Sequence, residues 1–94
     1  MKDNFYILAL PSIHYIMKLE KEAVAQGIPV DLVPTPRQIS SDCGMVVKFP
    51  ELSLEKVLQL ANRQGMPEGK LYRFQKSGYE FLQQTGPPEE TVSR

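Results

Sequence analysis

Short apolar runs alternate along this chain with stretches in which apolar residues recur at helical spacing. The first run, from Phe5 to Leu10, is almost continuous, is built from bulky residues and ends at Pro11, which predicts a central strand. The later elements predicted by the same pattern are a helix over 13–26, strands over 28–33 and 45–49, a helix over 54–64 and a strand over 70–75.

Residues at the ends of the two predicted helices support these boundaries. Ser12 and Ser53 are suitable N-caps, because a serine hydroxyl can accept from the free amides of the first turn. Leu52 is expected to pack on the following turn as a hydrophobic staple. Gly27 and Gly65 suit the C′ positions, where a left-handed backbone is required.

The order strand, helix, strand, strand, helix, strand predicts an α+β fold. We expect a ferredoxin-like βαββαβ sandwich, in which an antiparallel four-stranded sheet carries both helices on one face. The turn sequence 76–78 can add a short fifth strand over 79–82. The predicted organisation is a single domain over 4–83 followed by a flexible tail over 84–94.

Composition and charge exclude several classes of protein. The chain has 94 residues, a formal net charge of +0 and no continuous basic stripe, which argues against nucleic acid as the main partner. No apolar run approaches the roughly 18 residues that a membrane-spanning helix needs, and the stretch 5–10 is too short for a signal peptide core. We therefore expect a cytoplasmic protein that binds no membrane.

The only cysteine, Cys43, is the leading candidate for chemistry. In the predicted topology the first and third strands are antiparallel neighbours, so the start of the third strand lies beside the end of the first. Cys43 and Gly44 should therefore lie near the first helical turn, close to Ser12 and His14. A helix N-terminus favours a thiolate over a thiol, and such a setting can bring the pKa of a cysteine from about 8.5 to about 7.5 or below.

Neighbouring residues modify this prediction. Arg37 can add positive charge if its loop folds back, whereas the carboxylate of Asp42 opposes the thiolate. Gly44 leaves room for a partner to approach the sulfur. Ser41 can contact the site or simply cap the loop backbone.

Structural explanations of the same residues stay open. A free cysteine is often buried and merely packs, and a lone histidine at His14 is more often an exposed first-turn residue than a base. Cys43 and His14 alone do not specify a metal site, and no cofactor is predicted. The aromatic residues Tyr72, Phe74 and Tyr79 are more consistent with sheet packing than with base stacking, because no basic groove accompanies them.

The run Pro36-Arg37-Gln38-Ile39-Ser40-Ser41-Asp42-Cys43-Gly44 resembles the Pro-Arg-x-x-Ser-x-x-Cys-Gly signature of the selenium/sulfur carrier-like proteins. The step Pro11-Ser12-Ile13-His14 looks like that family's first turn, and 27–30 resembles its helix-to-strand step. The similarity covers about residues 5 to 74.

The resemblance implies a small cytosolic protein whose cysteine carries sulfur or selenium as a persulfide or selenosulfide. Cys43 matches the acceptor, Gly44 its spacer and Arg37 a candidate anion or thiolate contact, while Ser12 and His14 match the adjoining turn. Such a carrier needs a donor enzyme, for example of the desulfurase type, and an acceptor protein, and it turns over nothing alone.

Two other functions remain compatible with the sequence. One is a non-catalytic binding or regulatory module, including a homodimer, in which Cys43 is buried packing. The other is a thiol redox sensor that forms an intermolecular disulfide through Cys43. An autonomous enzyme is least supported, because no second acid–base group, phosphate loop or metal-ligand cluster accompanies the thiol.

Overall fold

The computed structural model describes residues 4–39, 44–66 and 68–85. These residues form two helices and a five-stranded antiparallel sheet. The elements in chain order are β1 Phe5–Ala9, α1 Ile13–Ala25, β2 Asp31–Pro34, β3 Met45–Pro50, a 3₁₀ turn Glu51–Ser53, α2 Leu54–Arg63, β4 Gly69–Gln75 and β5 Gly78–Thr85. No helix among the described residues is long and apolar enough to cross a membrane.

The strands lie in the order β2-β3-β1-β4-β5. The predicted pairing of the first and third strands is confirmed, with Phe5 opposite Pro50 and Leu8 opposite Val47. The strand count differs from the predicted four, because β5 is a full edge strand of eight residues. It pairs with β4 along its whole length, with a register shift between Leu71 and Tyr72.

Both helices cover the same face of the sheet. Their buried positions join alternate residues of β1, β3 and β4 in one apolar cluster. The members of this main cluster include Tyr6, Leu8, Ile16, Leu19, Val47, Phe49, Val57, Leu60 and Leu71. The intervening residues of the same strands therefore point to the helix-free face, where Ile7, Ala9 and Val46 form a second, smaller cluster.

The two helices end in the same way. In each, a glycine at C′ has a positive φ, 75° at Gly27 and 70° at Gly65. The amide of the next residue bonds back to the helix, Ile28 N to Ala23 O at 2.8 Å and Met66 N to Ala61 O at 3.1 Å. These are Schellman caps, and each turns a buried apolar side chain into the main cluster. The predicted C′ glycines are thus confirmed.

Ser53 is the N-cap residue of α2, as predicted, but the two side-chain contacts expected at this helix start are not formed. The Ser53 hydroxyl makes no capping bond to α2 but donates to the carbonyl of Pro29 at 2.9 Å. Leu52 is exposed and forms no staple, because the 3₁₀ turn before α2 directs it to solvent. A buried Ser53 therefore ties the start of α2 to the segment before β2.

Candidate functional site

The first turn of α1 follows directly from the end of the central strand β1. Ser12 has an extended backbone, with φ of −147° and ψ of 155°, and its Oγ accepts from Tyr15 N at 3.4 Å. Its carbonyl accepts from Ile16 N at 3.3 Å. The predicted N-cap is confirmed, and the amides of Ile13 and His14 precede Ile16, the first residue whose amide donates to a carbonyl within the helix. Two amide donors and the positive end of the helix dipole are thus presented at this turn.

Gly44 immediately precedes β3, the strand that pairs with β1 in the sheet. It is exposed, has a φ of 77°, and a Cβ built there would meet no atom of the described residues within 4 Å. Its carbonyl accepts from Thr35 N at 2.9 Å and thereby closes the loop between β2 and β3. The left-handed backbone favours glycine at this position.

The sequence-predicted residues that the structure describes are Ser12, His14, Arg37 and Gly44. His14 is exposed on α1 and its ring contacts that of Tyr15 edge-on at 6.5 Å. Arg37 is exposed in the loop between β2 and β3 and has no ion-pair partner among the described residues. Cys43 and Ser41, the predicted acceptor and its neighbour, lie outside the described residues.

Ile39 anchors the motif loop to the sheet. Its amide bonds to Pro36 O at 3.0 Å in a tight turn, and its side chain is only 4% exposed. It packs with Ile7, Ala9 and Val46 on the helix-free face. The sequence signal for this role was present, since Ile39 is the lone apolar residue in a polar loop, but no spacing rule identifies an anchor of this kind.

Replacement of Ile39 by alanine is expected to lower the free energy of unfolding by about 2 kcal/mol, because it empties a buried position. Ile13→Ala is the matched control, since Ile13 is 41% exposed and should change stability by less than about 0.5 kcal/mol. Urea unfolding of the three proteins measures both values. Equal effects of the two substitutions would show that Ile39 does not hold the loop.

The aromatic residues noted in the sequence lie together on the helix-free face. Phe5 stacks on Phe74 with ring centroids 4.7 Å apart, and Phe74 contacts Tyr79 at 5.1 Å. The ammonium of Lys48 lies over the Phe5 ring, 4.3 Å from its centre. These rings contact one another, which agrees with a packing role.

Comparison with known proteins identifies the family. A family model described as "Putative Se/S carrier protein-like" matches residues 5–73, and the chain belongs to this family. The matched segment runs from β1 to β4 and includes the whole loop between β2 and β3. Neither the curated proteins nor the solved structures gave a significant match to the chain.

Proposed function

We propose that this protein is a sulfur or selenium carrier and that the Cys43 thiolate is the acceptor. The observation that carries the proposal is the family match, because it spans the loop that contains the chain's only cysteine. The geometry around Gly44 and Ser12 supports it independently of the family description.

The register of the central strands favours a position of Cys43 beside α1. The pairing of β1 with β3 runs from Phe5 opposite Pro50 to Leu8 opposite Val47. Continued beyond Leu8, the same register would set Gly44 opposite Pro11, and on this ground we propose that the adjacent Cys43 meets the first turn of α1. The free amides of the first turn would then face the sulfur and stabilise an anion there.

The transfer step needs only a donor persulfide and the Cys43 thiolate. The Cys43 sulfur attacks the outer sulfur of the donor persulfide, a new S–S bond forms at Cys43, and the S–S bond of the donor breaks. The donor leaves as a thiolate, and Cys43 holds the persulfide anion. Two negative charges are present before and after the step, and no oxidant or reductant is consumed. Transfer of selenium follows the same balance when the donor is a selenosulfide: Cys43 attacks its outer selenium, the S–Se bond of the donor breaks, and Cys43 holds the selenosulfide anion.

The fold is suited to this role as a ferredoxin-like carrier domain. The first six helices and strands, from β1 to β4, give the βαββαβ order and the strand order β2-β3-β1-β4, to which β5 adds an outer edge. We infer a single domain over the predicted 4–83, with its end extended to the last residue of β5, Thr85. We also infer a cytoplasmic location, in which a single thiol stays reduced.

The direct test is loading of the reduced wild-type protein with glutathione persulfide, followed by intact mass spectrometry. We expect a mass increase of one sulfur atom that dithiothreitol removes. A protein that gains no sulfur under conditions in which free cysteine reacts would refute the carrier assignment.

A further inference from the structure

Half of the apolar positions on α1 are not covered by the fold. Ile13, Met17 and Val24 are exposed, with Met17 57% exposed. Their spacing of four and then seven residues places them on one side of the helix, next to the buried positions Ile16 and Ala23. The three side chains therefore lie on one side of the helix, with one turn of charged residues between the second and the third, and we call this set the α1 strip.

The α1 strip begins at the proposed transfer site. Ile13 is the first residue of α1 and follows the N-cap Ser12. From Ile13 to Val24 the helix rises about 16 Å, so the α1 strip is long enough to guide a partner but too small for a permanent interface. A carrier has to release each partner after transfer, and a small contact of this kind suits that requirement.

The borders of the α1 strip carry charge. Lys21 lies one turn from both Met17 and Val24, and Lys18 lies one turn before Lys21 on the same side. Both lysines are exposed, and neither has an ion-pair partner among the described residues. On the opposite border stands the partly buried Glu20. The lysine border is therefore free to pair with carboxylates of another protein.

We propose that the α1 strip is the docking surface for the sulfur-donor enzyme. The donor contributes an apolar patch that packs on the strip, and carboxylates at the edge of that patch pair with the lysines. This inference rests on the proposed function, since it assigns the donor that delivers sulfur to Cys43. Docking along α1 sets the donor persulfide at the first turn, where the attack on its outer sulfur occurs.

Two sulfur sources separate docking from chemistry. A cysteine desulfurase from the same organism, supplied with radiolabelled cysteine, has to dock before it transfers sulfur, whereas glutathione persulfide does not. We expect Met17→Glu to slow loading by the desulfurase at least about tenfold and to leave loading by glutathione persulfide unchanged. Lys21→Glu should slow desulfurase loading several-fold, and the difference should shrink as salt is raised.

Two matched control variants introduce the same kinds of substitution outside the α1 strip. Leu52→Glu alters an exposed apolar residue that follows the C-terminal end of β3, whereas Gly44 precedes its N-terminal end. Lys56→Glu reverses the charge of an exposed residue on α2. Both should load at the wild-type rate from either source. Thermal melting of all variants verifies that each is folded.

The outcomes distinguish the two proposals. Desulfurase loading of Met17→Glu at the wild-type rate, or no loading of the wild type by the enzyme, would overturn the docking surface and leave the carrier intact. A wild-type dimer that Met17→Glu dissociates in sedimentation would assign the α1 strip to self-association instead. Failure of glutathione persulfide to load the wild type would remove the carrier and the docking surface together.

Discussion

Cys43→Ala is expected to reduce sulfur acceptance to background from every donor. The chain contains no second thiol, so no other side chain can take over the persulfide. The measurement is the sulfur gained per protein by intact mass, after incubation with glutathione persulfide and, separately, with a desulfurase and labelled cysteine.

The control for this experiment is wild-type protein alkylated at Cys43, which should also fail to load. The unfolding free energy of Cys43→Ala supplies a second readout. A solvent-accessible acceptor thiol predicts a change within about 0.5 kcal/mol, whereas a packed cysteine predicts a larger loss. Sulfur acceptance by Cys43→Ala at the wild-type level would rule out the carrier mechanism.

Phe49→Ala is expected to have the largest effect on stability, a loss of about 3–5 kcal/mol in the free energy of unfolding. Phe49 is 1% exposed in β3, and its ring stacks on that of Tyr6 with centroids 6.0 Å apart. It lies in the main cluster beneath the helices and is paired with Tyr6 across β1 and β3. Urea unfolding with a constant m-value measures the loss.

Phe81→Ala is the matched control for that substitution. Phe81 lies in β5, is 54% exposed and contacts only the ring of Tyr72 among the described aromatic residues, 5.6 Å away. Its removal should cost less than about 1 kcal/mol. Similar losses for both variants would contradict the assignment of the core to the helix-covered face.

The strands and helices could largely be predicted because their apolar periods and end signals agree. Ser12, Gly27 and Gly65 each have the predicted role at a helix terminus. The pairing of the first and third strands followed from the order of elements alone, and the structure confirms it. These features depend on local chemistry and on a small set of permitted connections.

The features that sequence reasoning missed depend on tertiary contacts. β5 was predicted to be short, because its last residues, Gln83, Gln84 and Thr85, are polar and give no strand signal. In the structure these residues pair with β4 at the edge of the sheet. Ser53 looks like an N-cap, yet the carbonyl of Pro29 is the acceptor that the fold brings to it. In the sequence Ile39 is an isolated apolar residue of a polar loop, and only the structure shows the sheet face on which it packs.

The same limit applies to α1. Its apolar positions predict a buried face, but Ile13, Met17 and Val24 are exposed because the sheet reaches only the side that carries Ile16, Leu19 and Ala23. Periodicity alone does not distinguish the part of an apolar face that the chain covers itself from the part that stays exposed.

The competing functions give different results in one set of assays. A binding or regulatory module predicts a thiol that is inert in the folded protein, together with a ligand-induced melting shift or a stable dimer. A redox sensor predicts a peroxide-dependent dimer that a thiol reverses and that Cys43→Ala does not form.

The pH dependence of Cys43 alkylation, in folded and in unfolded protein, tests the central claim most directly. If the first turn of α1 stabilises the thiolate, the pKa of Cys43 in the folded protein should lie below its value in the unfolded protein, which is about 8.5. The thiol should also react readily in the folded protein. A thiol that reacts only after unfolding would contradict the claim and would make Cys43 part of the core.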